Sequence, residues 1–144
     1  MPTAETILAQ KGRDVVTIVP DDSVHAAAHL MNQRGIGGLV VTEDGQIAGI
    51  ITERDVLRRV VAERRDPATT TIREVMTTPV VSCRPEAKLD ECGAVMTAKR
   101  IRHLPVADDE NLVGIITAGD ILAYQVEDQE ATIQYLNSYI FNVR

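Results

Sequence analysis

At 144 residues and 15.8 kDa, the chain has the length of one compact domain, and its 44% apolar content supplies a core of aliphatic rather than aromatic side chains. Aromatics make up 3%, Trp is absent, and the net charge is −6 with a pI near 5.0; scarce stacking platforms and an acidic balance exclude nucleic acid as a partner. No run of about 18 apolar residues and no basic-then-apolar leader occurs, so no membrane contact and a cytoplasmic location are expected.

In chain order, residues 4 to 11 read as a short helix, with Thr3 as N-cap and Gly12 ending it. Val15 to Ile18 reads as a strand closed by Pro20. Asp21, Asp22 and Ser23 announce a helix whose Val24, Ala27, Ala28 and Met31 share one face, stopped by Gly35. Leu39 to Thr42 and Ile47 to Thr52 form a hairpin about Asp44-Gly45, followed by a helix from Glu53 to Glu63. Residues 64 to 79 connect, with a helical turn at Ile72 to Met76. The order then repeats: a strand at Val80 to Cys83, a helix from Leu89 to Lys99, a hairpin of Leu104 to Ala107 with Leu112 to Thr117, and a helix opening at Ala118. In that last helix Leu122, Val126, Gln129, Ile133, Leu136 and Ile140 recur in steps of four and three. This seam has two readings, packing on the chain's own N-terminal helix or a contact between subunits.

The repetition is exact in register. A shift of 65 residues lays positions 15 to 61 on 80 to 126 without a gap, with 15 identities in 47, and both copies carry G-I-I-T-x-x-D, as Gly49 to Asp55 and Gly114 to Asp120. Doubled supersecondary units pack on one another and create equivalent sites at their junction. In each copy a strand enters a helix through Thr-x-x-Asp: Thr52 with Asp55, Thr117 with Asp120. On one reading this is a capping box that only holds a helix end. On the other, the helix N-terminus attracts an anion, the Thr hydroxyl donates to it, and the Asp carboxylate accepts from sugar hydroxyls. The facing loops favour a ligand: Gly35-Ile36-Gly37-Gly38 opens the backbone to close approach, while the matching Arg100-Ile101-Arg102-His103 is cationic.

These stretches resemble a tandem pair of CBS (cystathionine-β-synthase) domains, a Bateman module of the stand-alone bacterial type. The resemblance rests on T-I-V-P-D-D-S-V (17 to 24), L-V-V-T-E-D-G-Q-I-A-G-I-I-T-E-R-D (39 to 55), R-E-V-M-T (73 to 77), R-I-R-H-L-P-V (100 to 106) and G-I-I-T-A-G-D (114 to 120). It implies an α/β (α+β) fold of two β-α-β-β-α repeats packed with pseudo-twofold symmetry, with a short N-terminal helix and an extended C-terminal one. Residues 1–144 then form a single module, with 14–66 as repeat one, 67–79 as linker and 80–144 as repeat two. It implies two clefts that bind adenosine-containing ligands: AMP, ADP, ATP, NAD(H) or S-adenosylmethionine. By position, cleft one would use Thr52 and Asp55 with Val81, Arg102, His103 and Pro105; cleft two would use Thr117 and Asp120 with Val15, Gly37 and Gly38. Asp would hold the ribose, Thr would face the phosphate, Arg102 would fork onto phosphate, His103 would add a pH-dependent charge, and Arg54 is a third candidate for the phosphate. Cleft two, with glycines opposite it and Gly119 in the place of Arg54, is expected to bind phosphorylated ligands more weakly. The resemblance also implies a homodimer, and a regulatory output through a target protein that the sequence does not identify.

Other features point to structure. His25 and His29 sit one helical turn apart but on the solvent side with no third ligand, so no metal is expected. Under the shift Cys83 replaces Ile18 and Cys92 replaces Ala27, as buried apolar residues. Met31 and Met96 are core. Ser82 has no base beside it, no paired carboxylates support a nucleophile, and neither catalysis nor a catalytic cofactor is expected. The reading is a signal-transduction module that senses energy or cofactor state; its rival is a ligand-free dimerisation module.

Overall fold

The computed structural model describes residues 1–140, the last two by backbone alone, so the Ile140 side chain of the proposed seam lies outside the described residues. The first helix, α1 (Ala4–Lys11), opens on a capping box between Thr3 and Thr6 and stops at Gly12, whose φ of 99° suits only glycine. Repeat one follows as β1 (Thr17–Ile18), α2 (Val24–Arg34), β2 (Gly38–Glu43), β3 (Gln46–Thr52) and α3 (Glu53–Val56), which runs on as a π-helical turn over Leu57–Val61. A single helical turn, α4 (Ile72–Val75), precedes repeat two: α5 (Leu89–Lys99), β4 (His103–Asp108), β5 (Asn111–Thr117) and α6 (Ala118–Ile140). Asp44 and Gly45, both at positive φ, close the β2–β3 hairpin as the sequence indicated.

The two repeats differ at their first strand. In repeat one β1 pairs in parallel with β2, Thr17 to Val40 and Ile18 to Val41, shorter than the expected Val15 to Ile18. In repeat two the expected strand at Val80 to Cys83 is reduced to one bridge, Cys83 to Val106. The cause lies in the partner strand. Val40 N–H donates to the Val16 carbonyl at 3.4 Å; the 65-residue shift puts Pro105 at that place, and proline has no N–H to give. The ladder survives only where donors remain, with Cys83 N–H to the Pro105 carbonyl at 3.0 Å and Ala107 N–H to the Cys83 carbonyl at 2.8 Å.

Each half has its own apolar core, and the leading helices cross over to build them. Ile72 and Val75 of α4, which precedes repeat two in the chain, are buried with Val24, Leu39, Val41, Ile51 and Val60 of repeat one. Ala4, Ile7 and Leu8 of α1, which precedes repeat one, are buried with Leu89, Cys92, Met96, Leu104 and Ile116 of repeat two. Leu8 sits where Gly114 leaves no side chain: a Cβ there would lie 2.6 Å from a Leu8 methyl. Gly49 makes the same room for Met76. Within residues 67–79, Thr70, Ile72 and Val75 are buried, and Val24 N–H donates to the Thr70 carbonyl at 2.9 Å.

The C-terminal helix α6 meets the body through Ile121 and Tyr124. Its seam does not pack on α1: Leu122, Val126, Ile133 and Leu136 are all exposed. Among the described residues no helix is long and apolar enough to cross a membrane.

Candidate functional site

Both Thr-x-x-Asp corners form the expected reciprocal cap. At the first, Thr52 N–H donates to Asp55 Oδ2 at 3.0 Å and Asp55 N–H to Thr52 Oγ1 at 3.4 Å. At the second, Thr117 N–H donates to Asp120 Oδ2 at 2.9 Å and Asp120 N–H to Thr117 Oγ1 at 3.1 Å. The cap fixes each carboxylate at the mouth of its helix. Asp55 is only 8% exposed, and its other oxygen accepts from Thr77 Oγ1 at 3.0 Å, with Arg59 Nε 3.9 Å away.

A cavity of about 400 Å³ opens beside the first corner, between the repeats. Thr52, Glu53, Arg54, Asp55, Arg58 and Arg59 line it from the first repeat, Thr77 from the segment after α4, and Lys99, Arg100, Ile101, Arg102 and His103 from the end of α5 to the start of β4. Thr52, Asp55, Arg54, Arg102 and His103 are thus gathered as the sequence indicated. Val81 and Pro105, also assigned to cleft one, stand outside this lining: Val81 packs against the repeat-two core and Pro105 is buried within β4. Gly37, assigned to cleft two, lines this cavity instead. At Gly38 a Cβ would meet the His103 ring at 3.0–3.1 Å. The shift of 65 pairs Gly38 with His103, so the two face each other across the pseudo-twofold axis, and one must be small for the other to be large. Val15, also assigned to cleft two, is half-buried ahead of β1.

Six of the chain's 15 Lys and Arg side chains line this one cavity, against two carboxylates. In a protein of net charge −6 that is a local inversion of sign, and such concavities concentrate anions. Arg54 Nη1 crosses the cleft to the Arg100 carbonyl at 3.3 Å. Arg59 is tied to the carbonyls of Val75 and Met76 at 2.9 and 3.1 Å. Arg100 holds the left-handed C-cap of α5 at φ 56°, the place Gly35 takes in repeat one. His103 contributes less charge than the sequence suggested. Burial pushes its pKa below the ordinary 6.5; Glu53 opposes this, while Arg102 and Lys11 reinforce it, so the charged imidazolium is disfavoured.

The second corner is arranged differently. Lys11, at the end of α1, donates from Nζ to Asp120 Oδ2 at 2.7 Å and to the Ile115 carbonyl at 3.1 Å. Sequence reading missed Lys11 and Thr77. The signal was available in the shift, which sets Lys11 on Met76 and Gly12 on Thr77: both segments end a leading helix that crosses to the other repeat's corner.

The remaining candidates keep structural places. The rings of His25 and His29 lie nearly parallel with centroids 6.5 Å apart. Cys92 is buried and Cys83 half-buried, and burial pushes both thiols upward, Cys83 to about 12; neither is a thiolate at neutral pH.

The family model for the CBS domain matches residues 11–62 and again 72–127. A CBS domain-containing protein of Bacillus subtilis, YhcV, is 38% identical over 117 residues, covering 81% of this chain and 83% of that protein. A CBS-domain protein structure from Burkholderia ambifaria superposes with a TM-score of 0.86 at 42% identity, covering 89% of this chain and 96% of that one. The CBS domain pair of protein MJ0100, solved with 5′-methylthioadenosine and S-adenosyl-L-methionine, superposes with a TM-score of 0.80 at 26% identity, covering 89% and 98%.

Proposed function

The chain belongs to the CBS domain family, and from that premise we propose that it is a regulatory module whose inter-repeat cleft binds an adenosine nucleotide (AMP, ADP, ATP or NAD(H)) and reports energy or cofactor state to another protein. The observation that carries this is the cationic lining of the 400 Å³ cavity beside Asp55. Helix capping accounts for Thr52 and Asp55; it accounts for none of Arg54, Arg58, Lys99 or Arg102. Asp55 accepts the ribose hydroxyls, replacing the neutral donor Thr77 Oγ1, one hydrogen bond for another. The phosphates run toward Arg102 and Arg54, where guanidinium forks match their oxygens. The apolar walls at Ile50 and Ile101 receive the purine. Cleft one, with this lining, binds the phosphorylated ligand more tightly than cleft two. S-adenosylmethionine, bearing a sulfonium cation, suits that lining poorly.

Thermal unfolding with AMP, ATP, NAD and S-adenosylmethionine tests the reading. Ligand at about 100 times its dissociation constant stabilises by about 2.7 kcal/mol, which at this size raises Tm by roughly 5–10 °C. The expected order is nucleotides above S-adenosylmethionine, with the shift lost in Arg102→Ala. The closed capping boxes support a second reading, a ligand-free interaction module; no Tm change with any of the four at millimolar concentration would establish that reading instead.

A homodimer fits the apolar pairs left open on the outer helices. Leu57 and Val61 are 60% and 61% exposed, and their equivalents under the shift, Leu122 and Val126, are 61% and 42% exposed. Each pair sits at i, i+4 on its helix, so the two repeats present matched apolar stripes suited to a symmetric partner. Sedimentation of Leu57→Glu/Leu122→Glu as a monomer, against a dimeric parent, is the expected outcome.

A further inference from the structure

We infer that Lys11 is an internal plug of the second cleft, a cation supplied by the chain itself that reserves nucleotide binding for the first. The inference rests on the nucleotide reading above and goes beyond it by adding, to the missing arginines of the second cleft, a blocking residue outside both repeats' motifs.

The two corners present the same pair of acceptors, a strand carbonyl and the Asp carboxylate. In cleft one Thr77 serves both: its N–H donates to the Ile50 carbonyl at 2.8 Å and its hydroxyl to Asp55 Oδ1 at 3.0 Å. In cleft two Lys11 Nζ serves both, to the Ile115 carbonyl at 3.1 Å and Asp120 Oδ2 at 2.7 Å. The geometry is shared and the chemistry is opposite. A threonine hydroxyl is a short neutral donor that exchanges with a sugar hydroxyl. A lysine ammonium makes a charge-assisted bond, about twice as strong as a neutral one, and neutralises the carboxylate that a ribose needs.

Lys11 is also held in place. Ile7 and Leu8, one turn back on α1, are buried in the repeat-two core, with Leu8 seated against Gly114. The Lys11 and Asp120 side chains keep 33% and 25% exposure, so the pair is partly wet and its hold is moderate. An ion pair of this exposure amounts to an affinity penalty of at most about fivefold. Cleft two also has Ala118 and Gly119 where cleft one has Glu53 and Arg54, so no arginine stands there to offset that penalty.

Isothermal titration with AMP of the full chain and of Lys11→Met, the residue that Met76 supplies at the equivalent place, tests this. Lys11 is exposed and its helix anchored elsewhere, so the variant is expected to melt within a few degrees of the parent. The expected result is one AMP per parent chain and two per Lys11→Met chain, or a second phase tightened about fivefold; Lys11→Arg, which keeps the cation, stays at one, and adding Asp120→Ala to Lys11→Met removes the second. An unchanged single site in Lys11→Met overturns the plug and leaves the nucleotide reading standing. Weaker second-cleft binding in Lys11→Met also overturns it, since Lys11 would then be a phosphate partner. Binding by neither protein overturns the nucleotide reading and the plug together.

Discussion

Arg100 and Gly35 occupy equivalent left-handed caps, at φ 56° and 64°, and only the arginine is out of place there. A non-glycine side chain in this region costs about 1 kcal/mol, so Arg100→Gly is expected to raise Tm by a few degrees while weakening nucleotide binding, because one cation leaves the cleft. Calorimetry with and without ATP checks both signs. Asp55 carries the opposite bargain. Its carboxylate serves Thr52 and Thr77 within the protein, so Asp55→Ala is expected to lose about 2 kcal/mol of apo stability as well as the ligand response, whereas Arg102→Ala loses the response alone. Chemical denaturation beside ligand titration separates them. His103 adds a pH signature. With its native pKa held below 6.5 by burial, the unfolded chain takes up the proton first as pH falls. The stability tied to His103 is therefore full above about 6.5 and is lost as pH drops through the lower native value. Urea midpoints between pH 7.5 and 5 should decline, and His103→Gln should flatten that decline.

Elements were legible where local chemistry alone decides them. The capping residues Thr3 and Ser23, the stops at Gly12 and Gly35 and the Asp44-Gly45 turn each fixed a boundary. What the sequence hid depended on partners. The strand at Val80 to Cys83 has the same β-branched opening as its counterpart, and it fails through Pro105, distant in sequence, on the strand it should join. The helix from Glu53 was expected to run uniformly to Glu63; it widens instead into a π turn closed by Ala62 N–H to the Leu57 carbonyl at 2.9 Å. The glycines were visible, but their use was not. Gly37 and Gly38 read as openings for a ligand, and the space at Gly38 also accommodates the His103 ring. Gly114 was noticed only as part of a motif, and it seats Leu8. Gly114→Ala forces a methyl to within 2.6 Å of Leu8. Overpacking of this kind costs about 1–3 kcal/mol, and it should loosen α1, seen as faster amide exchange over residues 4–11.

For the whole molecule, the duplicated motif was enough to foresee two halves with a shared crevice, and the two leading helices were seen as helices. Their exchange between halves was not foreseen, because amphipathic spacing says which face is apolar and nothing about which core receives it. The consequence is testable by cutting the chain. Residues 1–66 would lack Ile72 and Val75 for their core and would expose Ala4, Ile7 and Leu8; residues 67–144 would have the reverse deficit. Neither half should show a cooperative thermal transition by circular dichroism, and an equimolar mixture should regain one.

That crossing also bears on ancestry. A progenitor encoding one unit with its leader could have hidden the leader's oily side only by lending it to a twin and accepting the twin's in return. Fusion of two such genes would turn a reciprocal loan between twins into one within a single polypeptide, and it would free the two leaders to differ, as Lys11 and Met76 do.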